Sequence, residues 1–243
     1  MRLFTAIYPP AEAIGHLAAQ VAGLRVTAAA TAGTNVRLVD PARVHLTLAF
    51  LGDVDPARVA AVRQALADTA STARDRRAGS TGGDRCVGST GGDRCVGSTG
   101  GDRCVGSTGG DRCVGSTGGD RCVGSTGGDR RAVLRLGGGG RFGWGRSTVL
   151  WVDVRGDVDR LLTLAGDVRA ALATVGIPGD DRPFRPHLTI ARPGDRMPHA
   201  DVEADLAALD GYLGPPWPAD ELVLVQSRPG PPASYHRLAA WPL

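Results

Sequence analysis

The sequence predicts an α+β (α/β) protein of two similar lobes, and three observations carry that prediction. A strand, an amphipathic helix and another strand follow one another in the first half of the chain and again in the second half. The later strand of each set contains one shared pattern, His45-Leu46-Thr47-Leu48 and His187-Leu188-Thr189-Ile190. The chain has 243 residues, of which 42% are hydrophobic, so it can bury a sizeable core. We therefore expect the two motif strands to lie side by side where the lobes meet.

Apolar spacing and turn-forming residues mark the elements of the first half. Apolar residues at helical spacing predict a helix over residues 11–25, and Asp55 followed by Pro56 predicts the start of a helix that ends near residue 75. Residues 27–34 are small and predict a loop. The expected strands are residues 3–8, 36–39 and 44–51.

The first motif strand has a predicted orientation as well as a position. Side chains of a strand alternate between its two faces. His45 and Thr47 are therefore expected on one face, with Leu46, Leu48 and Phe50 on the other. The same alternation places His187 and Thr189 together on one face of the second motif strand.

A tandem repeat fills the middle of the chain. The unit Gly-Ser-Thr-Gly-Gly-Asp-Arg-Cys-Val starts at Gly79, and six copies, the last one altered, occupy residues 79–132. Near-identity of the copies and their Gly, Ser and Thr content favour a low-complexity, disordered insert. A calcium-binding β-roll is the alternative, because the unit partly matches that nonapeptide pattern. Residues 1–78 and 133–243 are then expected to form a single domain.

The elements of the second half repeat the order of the first. We expect a Gly-rich loop over residues 137–145, a Pro- and Arg-rich loop over residues 180–186, and helices over residues 157–175 and 201–209. The expected strands are residues 133–136, 148–154, the second motif strand, 221–226 and 235–241.

Composition limits the classes of function. The net charge is +3, which gives little support for extended nucleic-acid binding. No run is long and apolar enough to cross a membrane, and residues 1–9 do not resemble a signal peptide. All five cysteines lie in the repeat, so no disulfide framework is expected. We expect a cytoplasmic monomer without membrane association.

The paired motifs favour acid–base chemistry on a phosphate. Imidazole titrates near neutral pH, so two histidines facing one site can divide the roles of general acid and general base. A threonine hydroxyl farther along the same strand face suits a phosphate oxygen. Metal catalysis needs three or four ligands, and neither motif has a carboxylate or Cys beside it. These residues predict phosphoryl transfer or phosphodiester hydrolysis with no metal and no cofactor.

The two His-x-Thr-x motifs and their flanks resemble the two-histidine phosphoesterases. The resemblance is to the bacterial RNA 2′,3′-cyclic phosphodiesterases, which were once described as 2′-5′ RNA ligases. It covers the chain apart from the insert, and it is carried by residues 2–7, 44–52, 150–154, 182–192, 223–227 and 235–238. The resemblance implies a bilobal fold with a pseudo-twofold axis and a cleft that holds both motifs.

The resemblance also implies an activity and residue roles. The substrate would be an RNA end with a 2′,3′-cyclic phosphate, tRNA fragments among them, and the product a 2′-phosphate. His45 would be the proton donor and His187 the proton acceptor, while Thr47 and Thr189 would hold the phosphate. By charge and planar geometry, Arg192 is a further candidate phosphate ligand.

The sequence also offers two aromatic rings as candidates for base stacking, and it is compatible with three other functions. Phe4 or Tyr235 could stack on a base, and for Phe4 a place in the core is the stronger expectation. The same histidine pair could catalyse 2′-5′ RNA ligation or hydrolyse a small cyclic nucleotide phosphate. A non-catalytic RNA-binding protein is the alternative from another class.

Overall fold

The structure is a computed structural model that describes residues 1–79, 131–179, 182–194, 197–230 and 234–243. The chain separates into two units, one of Met1–Arg74 with Arg131–Leu243 and the other of Asp75–Arg130, which lies between those two segments in the sequence. The larger unit contains both motifs. Nearly all of the tandem repeat, with its five cysteines, lies outside the described residues, so the predictions of a disordered insert or a calcium site stay predictions.

The described residues contain five α-helices and nine strands. The α-helices are α1 (Ala11–Ala22), α2 (Arg25–Thr31), α3 (Val59–Gly79), α4 (Val158–Thr174) and α5 (His199–Asp210). The strands are β1 (Arg2–Ile7), β2 (Arg37–Leu38), β3 (Leu46–Asp53), β4 (Val133–Phe142), β5 (Val149–Gly156), β6 (His187–Arg192), β7 (Trp217–Pro218), β8 (Glu221–Arg228) and β9 (Ser234–Pro242).

The strands form two antiparallel sheets, which confirms the predicted α+β class. One sheet has the order β3-β1-β8-β9 and the other the order β2-β6-β5-β4-β7. In each sheet the motif strand pairs with the first strand of its strand–helix–strand unit: β3 pairs with β1, and β6 pairs with β5. The two sheets exchange strands, because β2 from the first half pairs with β6 and β8 from the second half pairs with β1. Each lobe therefore contains residues from both halves of the chain.

The predicted loop over residues 27–34 was wrong, because most of it belongs to the short helix α2. The carboxylate of Asp205 accepts hydrogen bonds from the backbone N–H groups of Arg25 (2.7 Å) and Val26 (2.9 Å). These are donors that the first turn of a helix leaves without partners. The cap comes from α5, far away in the sequence, so a local pattern could not reveal it.

The predicted Gly-rich loop over residues 137–145 was also wrong for most of its length, since β4 continues to Phe142. The glycines allow close packing on both faces of this strand. A Cβ atom on Gly140 would lie 2.1 Å from the Trp151 ring, and one on Gly139 would lie 2.6 Å from Leu209 of α5. β4 therefore needs glycine for space, although glycine is unfavourable in most strands.

Leucine, isoleucine and valine side chains from both sheets and the helices fill one main core. A smaller cluster of Phe4, Ala6, Val223 and Val225 lies on the opposite face of the first sheet. That face carries the first motif histidine. In the described residues, no helix has the length and apolar character that crossing a membrane requires.

Candidate active site

Both motifs line one cleft of about 1030 Å³ in the larger unit. His45 precedes β3 and His187 begins β6, and contacts join these two strands. Leu46 and Leu188, which follow the histidines, are fully buried in the main core. Burial of the leucines directs the two histidines and the two threonines, Thr47 and Thr189, into the cleft. The structure thus brings the four main predicted site residues together.

The two imidazoles are held by the same local hydrogen bond. His45 Nδ1–H donates to the carbonyl oxygen of Arg43, and His187 Nδ1–H donates to the carbonyl oxygen of Arg185, each at 2.7 Å. A carbonyl can only accept, so Nδ1 carries the proton in both rings. Nε2 is then the atom of each ring that can take up or release a proton toward a substrate.

A register shift after Thr47 changes which side chains face the cleft. Thr47 pairs with Ala6 and Ala49 pairs with Thr5, so β3 contains one extra residue at this point. An extra residue of this kind is a β-bulge, and it reverses the alternation of the residues that follow. The expectation that Phe50 points away from His45 was therefore wrong. Phe50 is 63% exposed and lines the cleft.

The second motif strand has a register shift at the corresponding place. Thr189 pairs with Trp151 and Ala191 pairs with Leu150, which leaves Ile190 as the extra residue. Ile190 and Ala191 are both buried, and Arg192 is exposed and lines the cleft. Phe50 and Arg192 thus occupy equivalent positions, five residues after the histidines of their motifs.

Aromatic rings surround His45. Its ring stacks on Phe4 at 4.8 Å between centroids, meets Tyr235 edge to face at 5.3 Å, and lies 5.7 Å from Tyr8. Burial among these rings lowers the pKa of His45 below its ordinary value of 6.5, and the charges of Arg43 and His187 lower it further, against the opposing hydrogen bond to the Arg43 carbonyl. The free protein therefore favours neutral His45.

His187 has fewer aromatic neighbours. Its ring meets Phe142 edge to face at 4.9 Å and lies 6.0 Å from Trp151. The arginine two residues before each histidine lies over the neighbouring ring in both motifs. The Arg43 guanidinium is 4.8 Å from the Tyr235 centroid, and the Arg185 guanidinium is 4.3 Å from the Trp151 centroid.

The remaining predicted residues differ in their access to the cleft. Tyr235, Arg192 and Phe4 all line it, but Phe4 is only 4% exposed and packs beneath His45. No hydrogen bond among the described residues engages the hydroxyl of Thr47 or Thr189, so both can bind a ligand. The other three histidines are absent from the residues that line this cleft, and the described residues hold no cluster of three or more side chains suited to a metal ion.

The cleft is electropositive. Its lining includes four arginines, Arg2, Arg37, Arg43 and Arg192, and one acidic residue, Asp40. Asp40 also accepts a hydrogen bond from the Ala42 N–H. Strand pairing and a bulge bring Arg2, Arg37 and Phe50 to the cleft, and single-sequence patterns do not show these. Arg43 is not in a strand and lies in the turn of 3-10 helix just before His45. The absence of lysine was the one sequence signal, since it leaves arginine as the cationic ligand for a phosphate.

Two family descriptions match the chain on either side of the insert. LigT like Phosphoesterase matches residues 8–78, and the 2′-5′ RNA ligase superfamily matches residues 130–231. Each match includes one His-x-Thr-x motif. The chain belongs to the two-histidine phosphoesterase superfamily. This superfamily covers phosphodiester hydrolysis and 2′-5′ ligation.

Solved structures of other proteins share the fold. TT0787 of Thermus thermophilus is 22% identical, with a TM-score of 0.60 and coverage of 100% of this chain and 98% of that one. Apo LigT of E. coli is 20% identical, with a TM-score of 0.55 and coverage of 99% and 96%. LigT complexed with NADP+ is 21% identical, with a TM-score of 0.57 and coverage of 100% and 96%. No curated protein sequence matches the chain.

Proposed function

We propose that the protein hydrolyses the 2′,3′-cyclic phosphate at the end of an RNA to a 2′-phosphomonoester, without a metal ion. The observation that carries this proposal is the single cleft into which two Nδ1-anchored histidines and two unengaged threonine hydroxyls project. LigT of E. coli has been crystallised with 3′-AMP and with ATP, so a relative of the same fold accommodates nucleotides.

The proposed reaction uses both Nε2 atoms. His187 accepts a proton from water as the water oxygen forms a bond to phosphorus, and the bond from phosphorus to the 3′-oxygen breaks. His45 donates its Nε2 proton to the departing 3′-oxygen, which leaves the phosphate on the 2′-oxygen. Proton exchange with solvent restores both imidazoles. Each proton transfer contributes a factor of about 10² to 10⁴ to the rate.

The bound substrate must raise the lowered pKa of His45 if this residue is the proton donor. A proton donor must be protonated, yet the aromatic surroundings favour the neutral ring in the free protein. A bound phosphate places a negative charge beside the imidazole, and an opposite charge raises the pKa of a histidine. In this proposal, binding of the cyclic phosphate and protonation of His45 are therefore coupled.

The threonines, an arginine and two rings orient the nucleotide. Thr47 and Thr189 donate hydrogen bonds to the non-bridging oxygens of the cyclic phosphate, and Arg192, farther along β6, supplies positive charge to the RNA chain. The exposed face of Phe50 holds the terminal base by stacking. Tyr235 forms the adjoining wall of the site, because its ring already contacts His45 and the Arg43 guanidinium.

An RNA oligonucleotide that ends in a 2′,3′-cyclic phosphate tests this proposal. We expect a 2′-phosphate product in the presence of EDTA, and loss of turnover in His45→Ala and in His187→Ala. Full activity in either variant, or inhibition by EDTA, contradicts the proposed mechanism. Joined RNA products would favour 2′-5′ ligation, and binding of the RNA end without any product would favour a non-catalytic RNA-binding protein.

A further inference from the structure

Two arginines of the cleft lie directly opposite each other in the second sheet. Arg37 of β2 and Arg192 of β6 are cross-strand partners, and both are exposed and line the cleft. Like charges that face each other across a ladder destabilise a sheet. Within the described part of the chain, neither side chain forms an ion pair or a hydrogen bond. Their positive charge is therefore available to an anion.

The other two arginines of the cleft are placed differently. Arg2 faces the acidic residue Asp53 across the strands, and Arg43 lies over the ring of Tyr235. A second cross-strand arginine pair, Arg135 and Arg155, lies outside the cleft, and there Arg155 Nε–H donates to the Gly137 carbonyl oxygen at 3.1 Å. Of these two arginine pairs, Arg37 and Arg192 line the cleft that also contains the motif threonines, and Arg135 and Arg155 do not.

The position of the pair along β6 separates it from the reacting phosphate. Arg192 follows Thr189 by three residues, and because Ile190 is an extra residue in the pairing, the separation along the sheet is about 7 Å. A phosphate held by the two threonines therefore leaves room for a second phosphate between Arg37 and Arg192. Paired guanidinium groups suit phosphate oxygens because their donors lie in one plane.

We propose that Arg37 and Arg192 form a second anion subsite, which binds the internucleotide phosphodiester one nucleotide before the reacting end. The inference rests on the proposed function, since the first phosphate is the one held at the motif histidines. The subsite would make the protein prefer an RNA chain to a mononucleotide. Arg37 is a binding residue in this proposal and touches no reacting atom.

Binding of 2′-phosphate products tests the subsite without requiring turnover. The ligands are adenosine 2′-phosphate, the dinucleotide ApA with a terminal 2′-phosphate, and adenosine 2′,5′-bisphosphate. We expect Arg37→Gln to weaken binding of the dinucleotide about 10-fold, as expected for loss of a hydrogen bond to a charged group, and to leave binding of adenosine 2′-phosphate unchanged. The slope of log affinity against log salt for the dinucleotide should fall by about 0.7.

Two further variants control for charge and folding. Arg135→Gln removes the same charge from a cross-strand arginine pair outside the cleft, and it should change neither affinity. Arg37→Lys keeps the charge and should retain the salt slope of the wild type. An equal loss for both ligands in Arg37→Gln, or no loss for either, overturns the proposal.

The bisphosphate distinguishes the two sources of a second phosphate. If the dinucleotide binds more tightly than adenosine 2′-phosphate, an RNA chain is supported as the ligand. A gain for the bisphosphate alone overturns that assignment in favour of a 5′-phosphate. Turnover of adenosine 2′,3′-cyclic phosphate, which has no second phosphate, reports separately on the proposed function.

Discussion

The two motif strands have the same backbone geometry and different surroundings. In both, the histidine Nδ1–H donates to the carbonyl oxygen two residues earlier, and an extra residue follows the threonine. The first histidine, however, lies among three aromatic rings, and the second contacts two. The repeated part of the motif therefore supplies two equivalent imidazoles, and the neighbouring rings make their environments unequal.

The position after the bulge differs as well. Phe50 presents a ring to the cleft in one strand, and Arg192 presents a guanidinium in the other. A ring suits the face of a base and a guanidinium suits a phosphate, so one position of a duplicated motif can serve two parts of a nucleotide. Replacement of residues in the two strands tests how far this asymmetry extends, and the largest expected effect concerns the histidines themselves.

Replacement of either histidine should lower kcat/KM for a 2′,3′-cyclic phosphate end by about 10² to 10⁴. The two variants should differ in how their residual activity depends on pH. His45→Ala should lose the decline at high pH, which arises when the proton donor deprotonates. His187→Ala should lose the decline at low pH, which arises when the acceptor is protonated. Identical residual profiles would show that the two histidines do not divide the roles as proposed.

Replacement of the threonines tests whether the two strands hold the phosphate equally. A hydrogen bond to a charged group contributes about 1.5 to 3 kcal/mol, so Thr47→Ala and Thr189→Ala should each lower kcat/KM by about 10- to 100-fold. Thr→Ser at either position keeps the hydroxyl and should restore most of the activity. If serine is as poor as alanine, the threonine methyl group and not the hydroxyl is the important part.

Replacement of Phe50 tests the assignment of the base to the first strand. Stacking of a base on an aromatic ring contributes about 1 to 3 kcal/mol, so Phe50→Ala should raise KM for adenosine 2′,3′-cyclic phosphate by about 5- to 100-fold. Ribose 2′,3′-cyclic phosphate, which has no base, should be affected little. Phe50→Tyr retains a ring and is the matched control. An equal rise in KM for both substrates would show that Phe50 does not bind the base.

A feature of this site can be predicted from the sequence when neighbouring residues in the chain determine it. The motif strands, the face shared by His45 and Thr47, and the α+β class follow from alternation and apolar spacing. The exposure of Phe50 does not, because it results from one extra residue in the pairing of β3 with β1. Helix α2 likewise depends on Asp205, a cap supplied from α5. Pairing and caps between distant segments leave no periodic signal in the chain.

The glycine-rich strand β4 gives a matched test of packing beside His187. Gly140→Ala places a Cβ atom against the Trp151 ring, so unfolding should become easier by about 1 to 3 kcal/mol. Gly15→Ala, at an exposed position of helix α1 with no atom within 4 Å of the added Cβ, should instead stabilise the protein by about 0.5 to 1 kcal/mol. Denaturant unfolding of both variants measures the difference. Equal stability would mean that Trp151 can move away at little cost.

The smallest expected effect is a change in the titration of His45. The Arg43 charge lowers the pKa of this histidine, and burial is the larger cause. Arg43→Gln should therefore raise the pKa of His45 without returning it fully to its ordinary value of 6.5. Arg185→Gln, the equivalent change in the second strand, should leave His45 unaffected. NMR titration of the imidazole resonances measures both.

The same titration tests the coupling of His45 to phosphate. A lowered pKa means that the folded protein holds this proton less tightly than the unfolded chain. His45 thus contributes stability that is fully present above pH 6.5 and is lost as the pH falls through the lowered pKa. Inorganic phosphate should raise the pKa, so phosphate affinity should increase as the pH falls from neutral toward the pKa of the free protein. If phosphate left the pKa of His45 unchanged, the bound anion would not contact His45. The substrate phosphate could then not favour the protonated form that a proton donor needs.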